Sequence, residues 1–343
     1  MKKYSRYRIS FLLLLFALVG CFILNISLGS VGIPFKDTLN SLFGGMVQNE
    51  SWGYIIWNYR IPKAFTAILV GGGLALSGLL MQTLFRNPLA GPFVLGISSG
   101  ASLGVAILIM GASLFSGIFA FAFITNVTLA IAASLGSFLV LLAVMTVASK
   151  VKDTMALLII GLMFGSITAA VVSVLAYFTK AEKLQQYIYW SFGSLGNLTW
   201  PQLSLLTGII LIGIILSIAS IKALNALLLG ENYARSLGVD LKKSRYIIII
   251  TTALLAGGVT AFAGPIAFIG LAVPHLTRQI FNTTDHKILM PAVLVYGAIL
   301  MLLCDTVAQL PNSASVLPIN AITSILGAPV VIWLLVRKRK MIF

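Results

Sequence analysis

Between Phe93 and Ser149 the chain runs for 57 residues without a charged side chain. One crossing of about 30 Å of hydrocarbon takes only ~20 apolar residues, so this stretch predicts two membrane-spanning helices. The turn between them is expected near Gly111–Gly117. The same signature recurs along the chain. Ile9–Leu28, Ala64–Phe85, Thr154–Thr179, Pro201–Ile221, Ile288–Ala308 and Leu317–Val336 each read as one span. Tyr246–Thr277 is 32 residues long and is interrupted by Gly257-Gly258, Gly264-Pro265 and Pro274. It predicts one full span followed by a short broken helix, for a total of ten. Only 9% of residues are charged and 59% are hydrophobic, against about 25% charged in a soluble domain. A water-soluble globular enzyme is excluded. The expected fold is an all-α polytopic membrane protein, one membrane domain over residues 1–343.

The charges that remain are lopsided: 23 Lys and Arg against 8 Asp and Glu, a net +15. On a soluble chain this would point to nucleic acid; on a polytopic chain it is first a matter of topology. Ten spans put both termini on one side, together with residues 2–8, Arg86, 150–152, 222–245, Arg278, Lys287 and 337–340. These hold 18 of the 23 basic residues. The other side keeps Lys36, Arg60, Lys63, Lys180 and Lys183. Basic residues accumulate in cytoplasmic loops, so both termini are expected inside, and nucleic-acid binding is not implied. Lys2-Lys3 followed by an apolar run to Leu18-Val19-Gly20-Cys21 resembles a lipoprotein signal. Apolar character continues to Leu28 and no A-x-A site follows, which favours a first transmembrane helix. Cys21 and Cys304 lie in apolar runs, and His275 and His286 are few; packing is expected of them rather than a disulfide or a metal site.

Two further patterns concern packing. Ala90-Gly-Pro-Phe-Val-Leu-Gly96 is echoed by Ala263-Gly-Pro-Ile-Ala-Phe-Ile-Gly270. Paired Gly/Pro interruptions in two halves are what an inverted repeat produces; in a chain with 31 glycines chance is the alternative. Gly96, Gly100 and Gly104 stand four apart, on one helix face, where they admit a neighbouring backbone.

Chemistry within the spans is sparse. Asp305 is the one acidic residue there. It reads either as a hydrogen-bonded structural residue or as the carboxylate of an ion-coupled secondary transporter. No G-x-x-x-x-G-K-[ST] loop, nucleophile–base pair or H-E-x-x-H occurs, so energy for any pumping has to come from a partner. The segment 222–245 offers a place for one. Leu224–Leu229 predicts a short helix stopped at Gly230. Glu231 opens a second, where an acid suits the positive helix end, and Gly238 suits its C-terminal cap. Such a knob either lies on the lipid surface or is covered by another protein.

At this point the motifs carry a resemblance. Arg60-Ile-Pro-Lys63, Gly78-Leu-Leu-Met-Gln82, Arg86-Asn-Pro-Leu-Ala90 and Gly96-Ile-Ser-Ser-Gly-Ala101 resemble the FecCD-type permeases. These are membrane subunits of ABC importers for iron chelates, haem and vitamin B12. Gly230–Val239, Ala263–Arg278 with Asp285-His-Lys287, and Leu317–Pro329 continue the likeness in order along the chain.

The resemblance implies a single transmembrane permease domain that works as a homodimer of ten-helix subunits in a bacterial inner membrane. Two ATP-binding subunits would sit on the cytoplasmic side and a substrate-binding protein on the other. The chain would have no catalytic residues and would hold no cofactor or metal; ATP and Mg would belong to the ATPases. Position by position, Arg60 and Lys63 match basic docking residues for the binding protein. Interfacial snorkelling is the alternative for Arg60. Lys63 stands where family members often have a second Arg, and a lysine lacks the bidentate fork. Gln309 stands where a further basic residue is common. Gly230, Glu231, Ala234, Arg235 and Gly238 fall in the ATPase-coupling segment. A bare metal ion would want carboxylate, His or thiolate ligands, which the spans hardly provide. An intact chelate is therefore the expected cargo, ferric siderophore first, with haem and cobalamin open.

Overall fold

A computed structural model describes residues 2–45, 47–111, 124–148, 150, 154–310, 313 and 315–336. The expected turn over residues 112–117, Lys152 and the basic tail 337–340 lie outside the described residues. The helices are, in order, α1 (Lys2–Ser27), α2 (Phe35–Phe43), α3 (Glu50–Ile55), α4 (Ile61–Phe85), α5 (Ile97–Met110), α6 (Asn126–Ala148), α7 (Thr154–Tyr177) and α8 (Ala181–Ser191). They continue as α9 (Trp200–Ala219), α10 (Ile221–Leu228), α11 (Glu231–Ser236), α12 (Leu241–Ala263), α13 (Ile269–Phe281), α14 (His286–Ala308) and α15 (Ile319–Val336). A π-turn, Ile56–Arg60, leads into α4, and a 3₁₀ turn, Pro92–Leu95, precedes α5.

Seven helical segments among the described residues are long and apolar enough to cross a membrane, in α1, α3–α4, α6, α7, α9, α12 and α14. Two shorter apolar helices, α5 and α15, bring the number to nine, close to the ten expected, and α13 is the short broken helix that follows α12. At 14 residues α5 rises only ~21 Å. The expected break after the seventh span is present: α12 ends at Gly264, whose φ of 76° stops it, and α13 follows with Pro274 inside it. α12 starts at Leu241, five residues before the apolar run, because the Asp240 carboxylate accepts from the Lys243 N–H at 3.0 Å and caps it. Helices α2, α3 and α8 are not among the expected elements; α2 and α8 are short and lie between spans, and α3 leads through the π-turn into α4.

The chain divides into two compact units. The first holds the segment up to Leu76, Ser194–Gly208 and the segment from Ala267 onward. In it α1 packs along α14, burying Tyr7, Leu14, Ala292 and Ile299 together with Phe281 of α13. The Phe11 and Phe281 ring centroids are 4.9 Å apart. The second holds Ser77–Gly193 and Ile209–Ile266, with α5 at its centre against α6, α7 and α12. Here the G-x-x-x-G spacing acts as expected. A Cβ at Gly136 of α6 would stand 2.1 Å from the Gly100 carbonyl oxygen, and one at Gly104 would stand 2.1 Å from that of Ala132. The two backbones touch, and no side chain fits between them.

The two Gly-Pro segments also share a local form. Each precedes a short helix, of 14 residues in α5 and 13 in α13.

Replacing Gly136 with Leu forces α5 and α6 apart and should cost about 3 kcal/mol, the upper end of ordinary overpacking. A lowered melting temperature in detergent is the expected readout. A variant that melts with the parent would contradict the backbone contact.

Candidate functional site

The basic residues Arg60 and Lys63 straddle the start of α4, and each is engaged with other groups of this chain. Arg60 closes the π-turn and is only 8% exposed. Its Nη1 donates to the Ile26 carbonyl at 2.8 Å and the Ser27 carbonyl at 2.9 Å, and its Nη2 donates to Val31. The last carbonyls of a helix have no partner within it, and a cation at that end also meets the negative end of the dipole. Arg60 thus finishes α1. The guanidinium fits because residue 29 is glycine: a Cβ there would come within 2.9 Å of Nη2.

Lys63, one turn further on, meets Asp305 of α14, with Nζ 3.1 Å from Oδ1. The Lys63 side chain is 19% exposed and that of Asp305 3%. The other carboxylate oxygen accepts from Asn25 Nδ2 at 2.9 Å and from Gln309 Nε2 at 2.7 Å. Asn25 also approaches Thr306 Oγ1, at 3.1 Å, and the Thr306 hydroxyl donates to the Leu302 carbonyl at 2.8 Å. A buried carboxylate is tolerated when it is paired and its remaining lone pairs are filled, and both conditions hold. The network ties α1, α4 and α14 together at one end.

Both cations expected to reach a docking partner are therefore engaged with this chain's own carbonyls and carboxylate. Gln309 is buried and donates to Asp305; its amide supplies the bond without adding a charge. Asn25 went unnoticed in the sequence because one asparagine near a span end has no local signature.

The second candidate region is the segment between α9 and α12. Its two short helices are α10 and α11, broken at Gly230 as expected. Gly230 has φ 105° and ψ 155°, a conformation that a side chain strains. α11 ends in a Schellman arrangement: Gly238, with φ 78°, donates to the Arg235 carbonyl at 3.0 Å, and Val239 donates to Ala234 at 3.1 Å. Ala234 is fully buried and seats the helix, while Arg235 is exposed. Glu231 Oε1 is 3.3 Å from Arg245 Nη2 of α12, linking the knob to a span. Arg86, just past α4, also approaches the knob, its Nη1 3.7 Å from where a Gly230 Cβ would stand. Leu229, Tyr233 and Leu237 are exposed at intervals of four. Exposed apolar residues on this knob are what the sequence leads one to expect; which ones face outward depends on the Gly230 break, which the linear pattern does not resolve.

A family model described as the FecCD transport family matches residues 14–337. The chain is 38% identical over 285 residues to the vitamin B12 import system permease protein BtuC of Klebsiella pneumoniae, covering 83% of each protein. It is likewise 38% identical over 286 residues to the BtuC protein of Salmonella typhi, covering 83% of this chain and 84% of that one. Among solved structures, one described as an inward-facing conformation of a metal-chelate type ABC transporter aligns with a TM-score of 0.80 at 28% identity. The alignment covers 97% of this chain and all of the other. PsaBC from Streptococcus pneumoniae, at 14% identity and a TM-score of 0.58, shares the fold.

Replacing Lys63 with Met leaves Asp305 buried without its counter-charge and should cost about 3 kcal/mol of stability. Lys63→Met combined with Asp305→Asn should recover most of the loss in thermal unfolding. Equal melting of the single and double variants would mean that the ion pair does not hold the network.

Proposed function

The chain belongs to the FecCD transport family, and on that premise we propose that it is the permease subunit of a binding-protein-dependent ABC importer for an intact metal chelate, cobalamin first. The observation that carries this reading is the knob at 230–238. It is a small, internally fastened projection with exposed Leu229, Tyr233 and Leu237, held to α12 by Glu231 and Arg245. Such a projection suits insertion into a cleft of an ATP-binding partner. Closure of the partner on ATP would push the knob, and the Glu231–Arg245 pair would pass the displacement to α12. ATP and Mg would be bound by two such partners. In this reading both termini are cytoplasmic, the membrane is the bacterial inner membrane and a second copy of the chain completes the pathway.

Cobalamin is placed before ferric siderophore and haem because the curated relatives are vitamin B12 permeases. Ferric siderophore, first on sequence alone, becomes the second candidate. Ion coupling through Asp305 is disfavoured, since Lys63, Asn25 and Gln309 already occupy both carboxylate oxygens. For the substrate-binding protein, Arg60 and Lys63 are the candidate docking residues. A partner carboxylate would take Lys63 in exchange with Asp305, and Arg60 would act by holding the end of α1 in place.

The test is uptake into proteoliposomes containing the permease and its ATPase, with the binding protein and labelled cobalamin, ferric siderophore or haem supplied outside. ATP inside should drive uptake of cobalamin. Uptake driven by an ion gradient with no ATPase present would overturn the reading. A Leu237→Asp change should weaken ATPase binding about tenfold, the value of burying much of one leucine. Gly230→Val, strained by ~1–3 kcal/mol, should leave ATP hydrolysis running while uptake is lost. Normal coupling in both variants would remove the knob from the mechanism.

A further inference from the structure

Helix α2 is built inside out. Its polar residues Asp37, Thr38 and Ser41 lie on one face and are buried, at 4%, 0% and 7% exposure. The face turned outward carries Phe35 and Phe43, the latter 85% exposed. A helix bathed in water has the opposite arrangement. The buried face has its own partners: Asp37 Oδ1 accepts from the Gln48 N–H at 3.2 Å, and Thr38 Oγ1 donates to the Pro34 carbonyl at 3.3 Å.

The neighbouring segment extends the outward surface. Tyr54, Trp57 and Tyr59 are exposed, with the Tyr54 and Tyr59 rings edge to face at 6.1 Å. Trp57 Nε1 donates inward to the Ser41 carbonyl at 3.2 Å, and Trp200 Nε1 donates to the Trp57 carbonyl at 3.2 Å. Both indoles therefore spend their polar group on the protein and leave ring surface facing out.

What covers this surface is indicated by its continuation. α2 and the π-turn pack against α1, whose exposed side, Leu12, Leu13, Phe16, Val19 and Leu24, is apolar in a helix long and apolar enough to span a membrane. Exposed Val31 carries that flank toward α2. Tyr and Trp concentrate where hydrocarbon meets headgroups. Exposed Lys36, next to Phe35, has an aliphatic stem long enough to set its ammonium among lipid phosphates.

We propose that α2, α3 and the π-turn lie in the headgroup–acyl boundary of the bilayer, with Phe35, Phe43, Tyr54 and Trp57 as the anchor. The segment is then held on its polar face by the protein and on its aromatic face by lipid. Because Arg60 closes the same π-turn, the anchor fixes the depth of the network that binds the ends of α1, α4 and α14. This inference requires that α1 spans a membrane and is independent of the cargo or energy source.

Spin labelling tests it in the full chain, reconstituted into nanodiscs of phosphatidylethanolamine and phosphatidylglycerol. Cys21 is replaced by Ala, buried Cys304 is retained, and a nitroxide is attached at Phe43→Cys. Phe16→Cys on α1 serves as the deep lipid reference, and the chain without an added cysteine serves as the blank. The expected result is that oxygen relaxes the label at 43 more strongly than a water-soluble nickel chelate does, with a depth shallower than that at 16. Tyr54→Cys should behave in the same way, so failure of one variant to fold leaves the test intact. Dominant relaxation by the nickel chelate at both positions would place the face in water. Protection from both relaxers would mean that a second copy of the chain covers it. Either result overturns the proposal.

Discussion

Hydrocarbon offers no hydrogen bonds, so every backbone group that a helix leaves unpaired at its end must find a partner within the chain or at the interface. Much of the local detail in this protein follows from that demand. Arg60 reaches across from the π-turn before α4 to fill the carbonyls that end α1. Asp240 and Asp285 cap α12 and α14 through the N–H groups of Lys243 and Lys287. Gly238 closes α11 by donating back into it. Charged residues that look available for partners are committed to this work, which is why counting cations in loops overstates what is free to dock.

The same constraint makes the polar network around Asp305 affordable. An isolated carboxylate at that depth would be expelled or neutralised, yet here one oxygen faces Lys63 and the other receives two amide hydrogens. Each group is satisfied by the others, so the loss of one exposes the rest. The knob between α9 and α12 follows a different logic. It is fastened locally, by Ala234 beneath it, Arg245 beside it and Gly238 behind, and it presents its apolar stripe outward. One region spends its polar groups inward for cohesion; the other keeps apolar surface outward, the arrangement expected of a site that meets another protein.

Much of the architecture is legible in the sequence. Long uncharged runs located the spans, and Gly264-Pro265 marked the break after α12. Gly230 and Gly238 bounded the knob helices to within a residue or so. The small-residue spacing at Gly100 and Gly104 correctly announced close backbone contact with α6. α2 was missed because its pattern, Phe-Lys-Asp-Thr-Leu-Asn-Ser-Leu-Phe, is amphipathic with the polarity of its faces reversed. The sequence shows two faces but not which one meets the protein. For Arg60 and Lys63 the family likeness points to a partner outside the chain, whereas their partners within the chain, the end of α1 and Asp305, are visible only in the folded structure.

By itself, the sequence determined that the chain is a polytopic membrane protein and where most of its long helices run. Those properties depend on hydrophobic runs and on interactions within a few residues, which a linear pattern records. Tertiary structure decided what each polar group in the membrane region is for. Asn25 and Asp305 are 280 positions apart and meet only because α1 packs along α14. Whether a buried charge is a liability, a ligand or a strut depends on what is brought within about 3 Å of it, and in this chain that depends on which helices lie side by side.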